Sequence, residues 1–232
     1  MNIACIAAAG FGTRMDLKVE DKQFLPLAGI PVIAHCVNAF DIEEISHIIV
    51  AVQKDNIEKT LKILEEFCPN VNVFVIEGGA SRNQTIAKMV NFATNTLKAK
   101  DDDFIITHDA ARPLVKKDII LQNIMEARKY DCTGTAIGVV DSVYISNDKK
   151  EVFDTIDRYS VFLAQTPQTF KVSSYLNLMS KLSREDFDGN MDTCSLFHKH
   201  GFKVGFVEGD KKNIKITVDE DYELIKIYKT LE

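Results

Sequence analysis

The chain has 232 residues, of which 46% are hydrophobic and 27% are charged, and its formal net charge at pH 7 is −6. These fractions are typical of a globular protein, and they exclude a fibrous repeat and a disordered chain. The negative charge argues against nucleic acid as a partner, because binding a phosphate backbone needs a basic face. The length suits one domain over residues 1–232.

The cysteines and the N-terminal segment predict a cytoplasmic location. The cysteines are scattered without zinc-site spacing, which indicates reduced thiols: Cys5, Cys36, Cys68, Cys132 and Cys194. No basic segment precedes the first apolar run, and that run is too short to span a bilayer. We therefore expect a soluble protein without a membrane partner.

Short apolar runs alternate with helical patterns along the chain. The runs are "IACIAAA", "HIIVAV", "VNVFVIEGG", "DDFIITHDA" and "TGTAIGVV". This alternation is typical of βαβ units and predicts an α/β fold with a Rossmann-like, open, mostly parallel sheet flanked by helices. Such sheets bind ligands at the carboxyl ends of their strands, so the chemistry is expected in the loops that follow them.

Two intervening segments predict amphipathic helices, the second with Ser81 as its N-cap. The predicted buried face of the first helix is Ile57, Leu61, Leu64 and Phe67. The predicted buried face of the second is Ile86, Met89, Val90 and Phe92.

The pattern changes at residues 141–160, which predict a β-hairpin arm leaving the main sheet, with a turn at Asn147 and Asp148. The C-terminal segment predicts two further strands and a closing helix with Asp219 near its start.

The loop after the first strand, "AAGFGTRM", contains Gly10, Gly12 and Arg14. Its glycines allow close approach of a ligand, and successive backbone N–H groups can bind an anion. The loop lacks the third glycine of a dinucleotide-binding fingerprint and the Lys-Ser pair of a P-loop. Lys22 follows, and two cations beside a glycine loop suit a triphosphate. The alternative is an ordinary turn with Lys22 as a surface lysine.

Two more strand-to-loop junctions carry candidate ligand groups. In "EGGASRNQT", Gly79 could lie against a base or sugar, and Arg82 and Thr85 fall in the first helical turn, where donors are available. In "ITHDAARPLV", Asp109 could bind a hydroxyl or a divalent cation, and Arg112 a phosphate. The alternatives are a plain turn and a cap, and His108 is expected to pack or hydrogen-bond locally.

Late in the chain, Arg158 and Lys215 are candidates for a second phosphate, and Asp192 for a metal or a hydroxyl. Surface ion pairs or a helix cap would explain each of them equally well when taken singly.

Taken together and in order, "AAGFGTRM", "HDAARP", "QTPQTF" and "NIKIT" resemble the polyol-phosphate cytidylyltransferases, and the resemblance covers nearly the whole chain. The resemblance implies transfer of CMP from CTP to a linear polyol phosphate, with Mg²⁺, giving a CDP-alcohol and pyrophosphate.

The family resemblance also implies roles for individual residues. The catalytic cations on the triphosphate are Arg14, Lys22 and Lys215. The nucleotide is bound by Ala8, Ala9, Gly10, Gly12, Gly79, Arg82, Thr85 and Asp109, with Asp109 also the metal ligand. The acceptor is bound by Arg112, Ser142, Arg158 and Asp192. Because Ser142 and Arg158 match arm positions that reach into the partner subunit, a homodimer with exchanged hairpin arms is implied.

The sequence departs from the family pattern at Asp21, where proline is usual, and at Met191 and Thr193 in "MDTC".

The motifs that bear on the acceptor resemble two different branches of the family. "GGASRNQTI" and "ITHDA" resemble the ribitol-phosphate branch, whereas "AAG" and "HDAARP" are spelled as in the methylerythritol branch. The prediction is ribitol 5-phosphate, with 2-C-methyl-D-erythritol 4-phosphate as the alternative. Three other classes are less favoured: a sugar-phosphate nucleotidyltransferase using UTP or GTP, a regulatory protein that binds CTP without turnover, and a Rossmann oxidoreductase, against which the missing third glycine argues.

Overall fold

A computed structural model describes residues 1–10, 21–189 and 191–231. Gly12 and Arg14 lie outside the described residues. The strands are β1 (Asn2–Ala7), β2 (Pro26–Leu27), β3 (Ile30–Pro31), β4 (His47–Val52), β5 (Val73–Glu77), β6 (Phe104–Asp109), β7 (Cys132–Gly138), β8 (Val143–Ile145), β9 (Asp154–Ile156), β10 (Phe162–Lys171) and β11 (Val204–Glu208). The helices are α1 (Val32–Ala39), α2 (Ile57–Phe67), α3 (Arg82–Asn95), α4 (Lys117–Glu126), α5 (Val172–Met179), α6 (Arg184–Asp188), α7 (Thr193–Lys199) and α8 (Asp219–Thr230).

The main sheet has seven strands in the order β11-β7-β10-β6-β1-β4-β5. The pairs β1–β4, β1–β6, β4–β5 and β7–β11 are parallel, and β10 runs antiparallel to both β6 and β7. The predicted mostly parallel open sheet flanked by helices is confirmed. In the register, Ala7 at the end of β1 stands beside Asp109 at the end of β6, so the loops that follow these two strands meet at one edge of the sheet.

Both faces of β1 are covered, which explains its apolar sequence. On one face, Ile6 belongs to a buried cluster with Phe40 and Leu64. On the other face, Cys5 belongs to a second cluster with Met89. Successive side chains of β1 thus enter opposite halves of the core, as strand geometry requires.

The predicted helices form, and one predicted core position is wrong. Ser81 caps α3 by accepting a hydrogen bond from the Gln84 backbone N–H at 3.1 Å. The predicted residues Ile86, Met89 and Val90 are buried, and Phe92 is partly buried. In α2, however, Leu61 is 50% exposed and Thr60 is fully buried. The buried stripe follows positions 57, 60, 64 and 67, so Leu61 lies one residue, or roughly 100° of helical rotation, away from it.

The predicted hairpin arm is confirmed, since β8 and β9 pair antiparallel as a separate two-stranded sheet. The connection between them, residues 146–153, is longer than the predicted turn. Asp148 organises it, because one carboxylate oxygen accepts the backbone N–H groups of Lys150 and Glu151, each at 2.9 Å.

In the C-terminal segment, the first predicted strand is β11 and the closing helix is α8, which begins at Asp219. The second predicted strand, over "NIKIT", is wrong. Residues 213–217 join no sheet, although the Ile216 N–H donates to the Ala111 carbonyl at 2.9 Å. No helix among the described residues is long and apolar enough to cross a membrane.

Candidate active site

A cleft opens at the carboxyl edge of β1, β5 and β6, where ligands bind in open α/β sheets. It brings together all of the predicted nucleotide and catalytic residues that the structure describes. These are Ala8, Ala9, Gly10, Lys22, Gly79, Arg82, Thr85, Asp109 and Lys215. They come from segments far apart in the sequence, and the strand order makes them neighbours.

One wall of the cleft is the turn between β5 and α3. A Cβ atom on Gly78 would lie 2.4 Å from the Cβ of Ala9, so only glycine lets this turn pack against the loop after β1. The Gly79 N–H donates to the Thr85 hydroxyl oxygen at 2.9 Å. That hydroxyl donates to the Ser81 carbonyl, also at 2.9 Å. Thr85 therefore fixes the turn, and the small residues beside it leave room for a flat ligand.

Asp109 forms the centre of the opposite wall, at the end of β6. Its carboxylate is 3.2 Å from Arg82 Nε, 2.8 Å from Lys215 Nζ and 3.9 Å from Arg112 Nε. Burial alone would raise the pKa of Asp109, but the charges of Arg82, Lys215 and Arg112 outweigh it and hold that pKa well below its usual range. Asp109 is thus ionised, and the cluster keeps an excess of positive charge that suits phosphate groups.

Lys22 adds a further cation to the cleft from the segment before α1. Its ammonium donates to the Ile216 carbonyl at 3.0 Å, which connects this segment to the one that carries Lys215. Arg112 is largely buried and donates to the Asn213 carbonyl at 2.7 Å. It lies behind Asp109 and is not among the residues lining the cleft.

The predicted acceptor residues occupy three separate places, of which the position of Arg112 behind Asp109 is the first. Asp192 is the N-cap of α7 and accepts from the Ser195 backbone N–H at 3.2 Å and from Gln168 Nε2 at 2.8 Å, so the capping interpretation of Asp192 is confirmed. Arg158 lies on the exposed arm, where it donates to the Val140 carbonyl at 2.9 Å. Ser142 is exposed on the same arm, and neither arm residue lines the cleft of its own chain.

A family model described as IspD, 2-C-methyl-D-erythritol 4-phosphate cytidylyltransferase, matches residues 2–230. The chain belongs to this family. Two relatives carrying the same name, from Thermosipho africanus and Caldanaerobacter subterraneus subsp. tengcongensis, are each 36% identical to it over 98% of its length, covering 97% and 99% of their own chains. The chain is therefore a CTP-dependent cytidylyltransferase.

Solved structures agree with the fold. A 4-diphosphocytidyl-2C-methyl-D-erythritol synthase superposes with a TM-score of 0.80 at 24% identity, over 97% of each chain. The corresponding synthase from Anaerococcus prevotii gives a TM-score of 0.76 at 28% identity, over 98% of this chain and 95% of that one. The predicted polyol-phosphate cytidylyltransferase family is confirmed. The comparisons favour the methylerythritol alternative and give no support to ribitol 5-phosphate.

Several polar residues organise the site of this IspD family member although the sequence analysis assigns them no role. The Thr166 hydroxyl accepts the Asp109 backbone N–H at 3.2 Å and lies 2.9 Å from His108 Nδ1. Thr193 accepts from Arg82 Nη1 at 3.0 Å. "QTPQTF" was the available signal for Thr166, but it indicated only the family and no role. The local role expected of His108 is confirmed, and burial lowers its pKa to about 4.

Proposed function

We propose that this protein transfers CMP from CTP to 2-C-methyl-D-erythritol 4-phosphate, with release of pyrophosphate. The observation that carries the proposal is the IspD family match over residues 2–230. The cleft supports it, because a cluster of cations beside one carboxylate suits two phosphorylated substrates.

In the proposed reaction, an oxygen of the acceptor phosphate attacks the α-phosphorus of CTP. A new P–O bond forms, the bond to the bridging oxygen of the β-phosphate breaks, and pyrophosphate leaves with the electron pair. The acceptor phosphate is already a nucleophilic dianion, so no general base is needed. The barrier is the approach of two anions, and catalysis then depends on positioning and on cations at the phosphates. Lys22 and Lys215 supply these charges in the described cleft, and Arg14 is proposed to add another.

The cytosine and ribose are proposed to lie against the β5–α3 turn. Ala8 and Ala9 are small and almost fully buried, and Gly79 and Thr85 border the same space. A pyrimidine could approach the backbone there, because no side chain intervenes at Gly79.

The residues present fit a magnesium ion carried mainly by the nucleotide. Within the part of the chain that the structure describes, no group of three or more His, Cys, Asp or Glu side chains could hold a metal. Protein-bound Mg²⁺ commonly uses one or two carboxylates together with substrate phosphates. Asp109 would be the carboxylate, and Mg²⁺ would offset charge on the triphosphate. We expect EDTA to abolish pyrophosphate release and added Mg²⁺ to restore it.

We also propose a homodimer in which each arm completes the partner's acceptor site with Ser142 and Arg158. The arm exposes large apolar side chains that an isolated chain would leave in water, including Tyr144, Phe153 and Tyr159, which are 64%, 71% and 77% exposed.

Mixing Arg158→Ala and Lys215→Ala subunits tests the exchange of arms. Mixed dimers would contain one intact site, and random pairing would restore about a quarter of wild-type activity. No recovery would refute the exchange.

The acceptor is tested by measuring pyrophosphate release with CTP and Mg²⁺ in parallel reactions. One contains 2-C-methyl-D-erythritol 4-phosphate and the other contains ribitol 5-phosphate. We expect a higher kcat/KM with the methylerythritol substrate, and a preference for ribitol 5-phosphate would refute the proposal. Replacing CTP by UTP or GTP in the same assay separates this function from the other nucleotidyltransferase class.

A further inference from the structure

Lys215 lies in residues 209–217, a segment that contains neither helix nor strand. Such a segment places a side chain reproducibly only if other groups satisfy and hold its backbone. The hydrogen bonds of this segment show that two buried side chains do so, Gln165 on β10 and Asn213 in the segment itself.

Gln165 on β10 holds the beginning of the segment by a two-way contact with one residue. Its Nε2 donates to the Asp210 carbonyl at 2.9 Å, and its Oε1 accepts the Asp210 backbone N–H at 3.3 Å. The neighbouring Gly209 donates its N–H to the Ala136 carbonyl at 2.8 Å. A Cβ atom on Gly209 would lie 2.4 Å from Gln165 Oε1, so glycine is required for this close approach.

Asn213 holds the middle of the segment and is fully buried. Its Nδ2 donates to the Thr166 carbonyl at 2.8 Å and to Gln165 Oε1 at 3.4 Å. Its own carbonyl accepts from Arg112 Nη1 at 2.7 Å. Two residues later, the Lys215 ammonium reaches Asp109 at 2.8 Å. The side-chain amide of Asn213 therefore attaches the chain to β10 two residues before Lys215.

We propose that Gln165 and Asn213 are positioning residues for Lys215, and that they set its ammonium at the phosphates of the nucleotide by anchoring residues 209–217 to β10. The inference rests on the proposed function, because that function gives Lys215 its role at the triphosphate.

The alternative is that these amides only contribute to stability. A double-mutant cycle between Gln165→Met and Lys215→Ala separates the two, because residues that act through one another are not additive. Methionine keeps the length of glutamine and removes all three hydrogen bonds of its amide, two with Asp210 and one with Asn213. The control is Thr169→Val on the same strand, since the Thr169 hydroxyl is buried with no hydrogen-bond partner among the described residues.

The cycle is measured as the Kd for CTP without acceptor and as kcat with the methylerythritol substrate. We expect Gln165→Met to weaken CTP binding and to lower kcat by about tenfold, because a displacement near 1 Å can cost up to about a hundredfold. In the Lys215→Ala background the same change should have an effect of less than about twofold. Amide hydrogen exchange of residues 209–217 should accelerate in Gln165→Met and remain unchanged in Thr169→Val.

Full additivity of the two losses, or unchanged exchange in residues 209–217, would overturn the proposal. If Gln165→Met does not fold, Gly209→Ala provides the same test, because its new Cβ displaces Gln165 without removing a polar group. Failure of the wild-type protein to use the methylerythritol substrate would refute the proposed function alone, while the CTP-binding cycle would still decide the role of Gln165.

Discussion

Replacing Asp109 by asparagine removes the carboxylate that Arg82, Lys215 and Arg112 share. Asparagine keeps the shape of the side chain, so the change is close to a pure loss of charge. The cations would then face one another across a largely buried space without an anion between them.

The size of the effect follows from burial. The Asp109 and Arg112 side chains are each 11% exposed, and breaking a buried ion pair by removing one partner costs about 3 kcal/mol or more. Arg82, which is 24% exposed, lowers the pKa of Asp109 most, and the contribution of Lys215, which is 35% exposed, is more strongly screened by solvent. For a chain of this size, about 3 kcal/mol corresponds to a fall in Tm of about 9 °C.

The assay is thermal unfolding of the wild type and of Asp109→Asn, with and without pyrophosphate. Pyrophosphate should raise the Tm of the variant more than that of the wild type, because it supplies the missing anion. The sign of the pH dependence follows from the lowered pKa. The contribution of Asp109 is complete above the ordinary carboxyl pKa of 3.8 and is lost as the pH falls toward its lower value in the folded protein. A Tm within about 2 °C of wild type at pH 7, corresponding to less than about 1 kcal/mol, would refute the reasoning.

Three further predictions test the cleft and the core. Lys22→Ala should lower kcat by about a hundredfold in correctly folded protein, measured by pyrophosphate release, because one well-placed cation is lost. His108 should remain neutral from pH 8 down to about pH 5, observed by NMR of its ring nitrogens, since burial lowers its pKa to about 4. Leu61→Gln should change the free energy of unfolding by less than about 0.5 kcal/mol, whereas Leu64→Ala should cost about 2 to 5 kcal/mol, both measured by urea denaturation.

The parts of the fold that the sequence predicts are those in which one local pattern has one structural explanation. A strand covered on both faces, such as β1, has to be apolar throughout, and the loops at the carboxyl ends of such strands have to meet. The pattern fails in β10, where Gln165, Gln168 and Thr169 are buried polar residues. Gln165 and Gln168 have hydrogen-bond partners far away in the sequence, and no local signal indicates them.

The opposite failure occurs at "NIKIT", where alternating residues predict a strand that does not form. Asn213 and Ile216 are fully buried, whereas Lys215 lines the cleft. These two buried positions are three residues apart and would lie on opposite faces of a strand, so the burial does not follow strand alternation. Strand formation also requires a neighbouring strand with a free edge, and residues 213–217 pack beside the turn after β6, where the sheet offers none that they pair with. A local sequence pattern does not supply that neighbouring strand, which comes from tertiary structure.

The charge of the site, like its buried polar residues, is not predicted by an average over the whole chain. The net charge of −6 disfavours a polyanionic partner, yet Arg82, Arg112 and Lys215 surround a single carboxylate, and Lys22 lines the same cleft. Asp109 allows these cations to stay close together before any substrate arrives, because it offsets part of their mutual repulsion. Cations fixed in advance need little rearrangement when phosphate charge develops, and such preorganisation is the main source of electrostatic catalysis. We therefore expect Asp109 to contribute to turnover even without touching the attacking oxygen, since its removal would let the cations move apart.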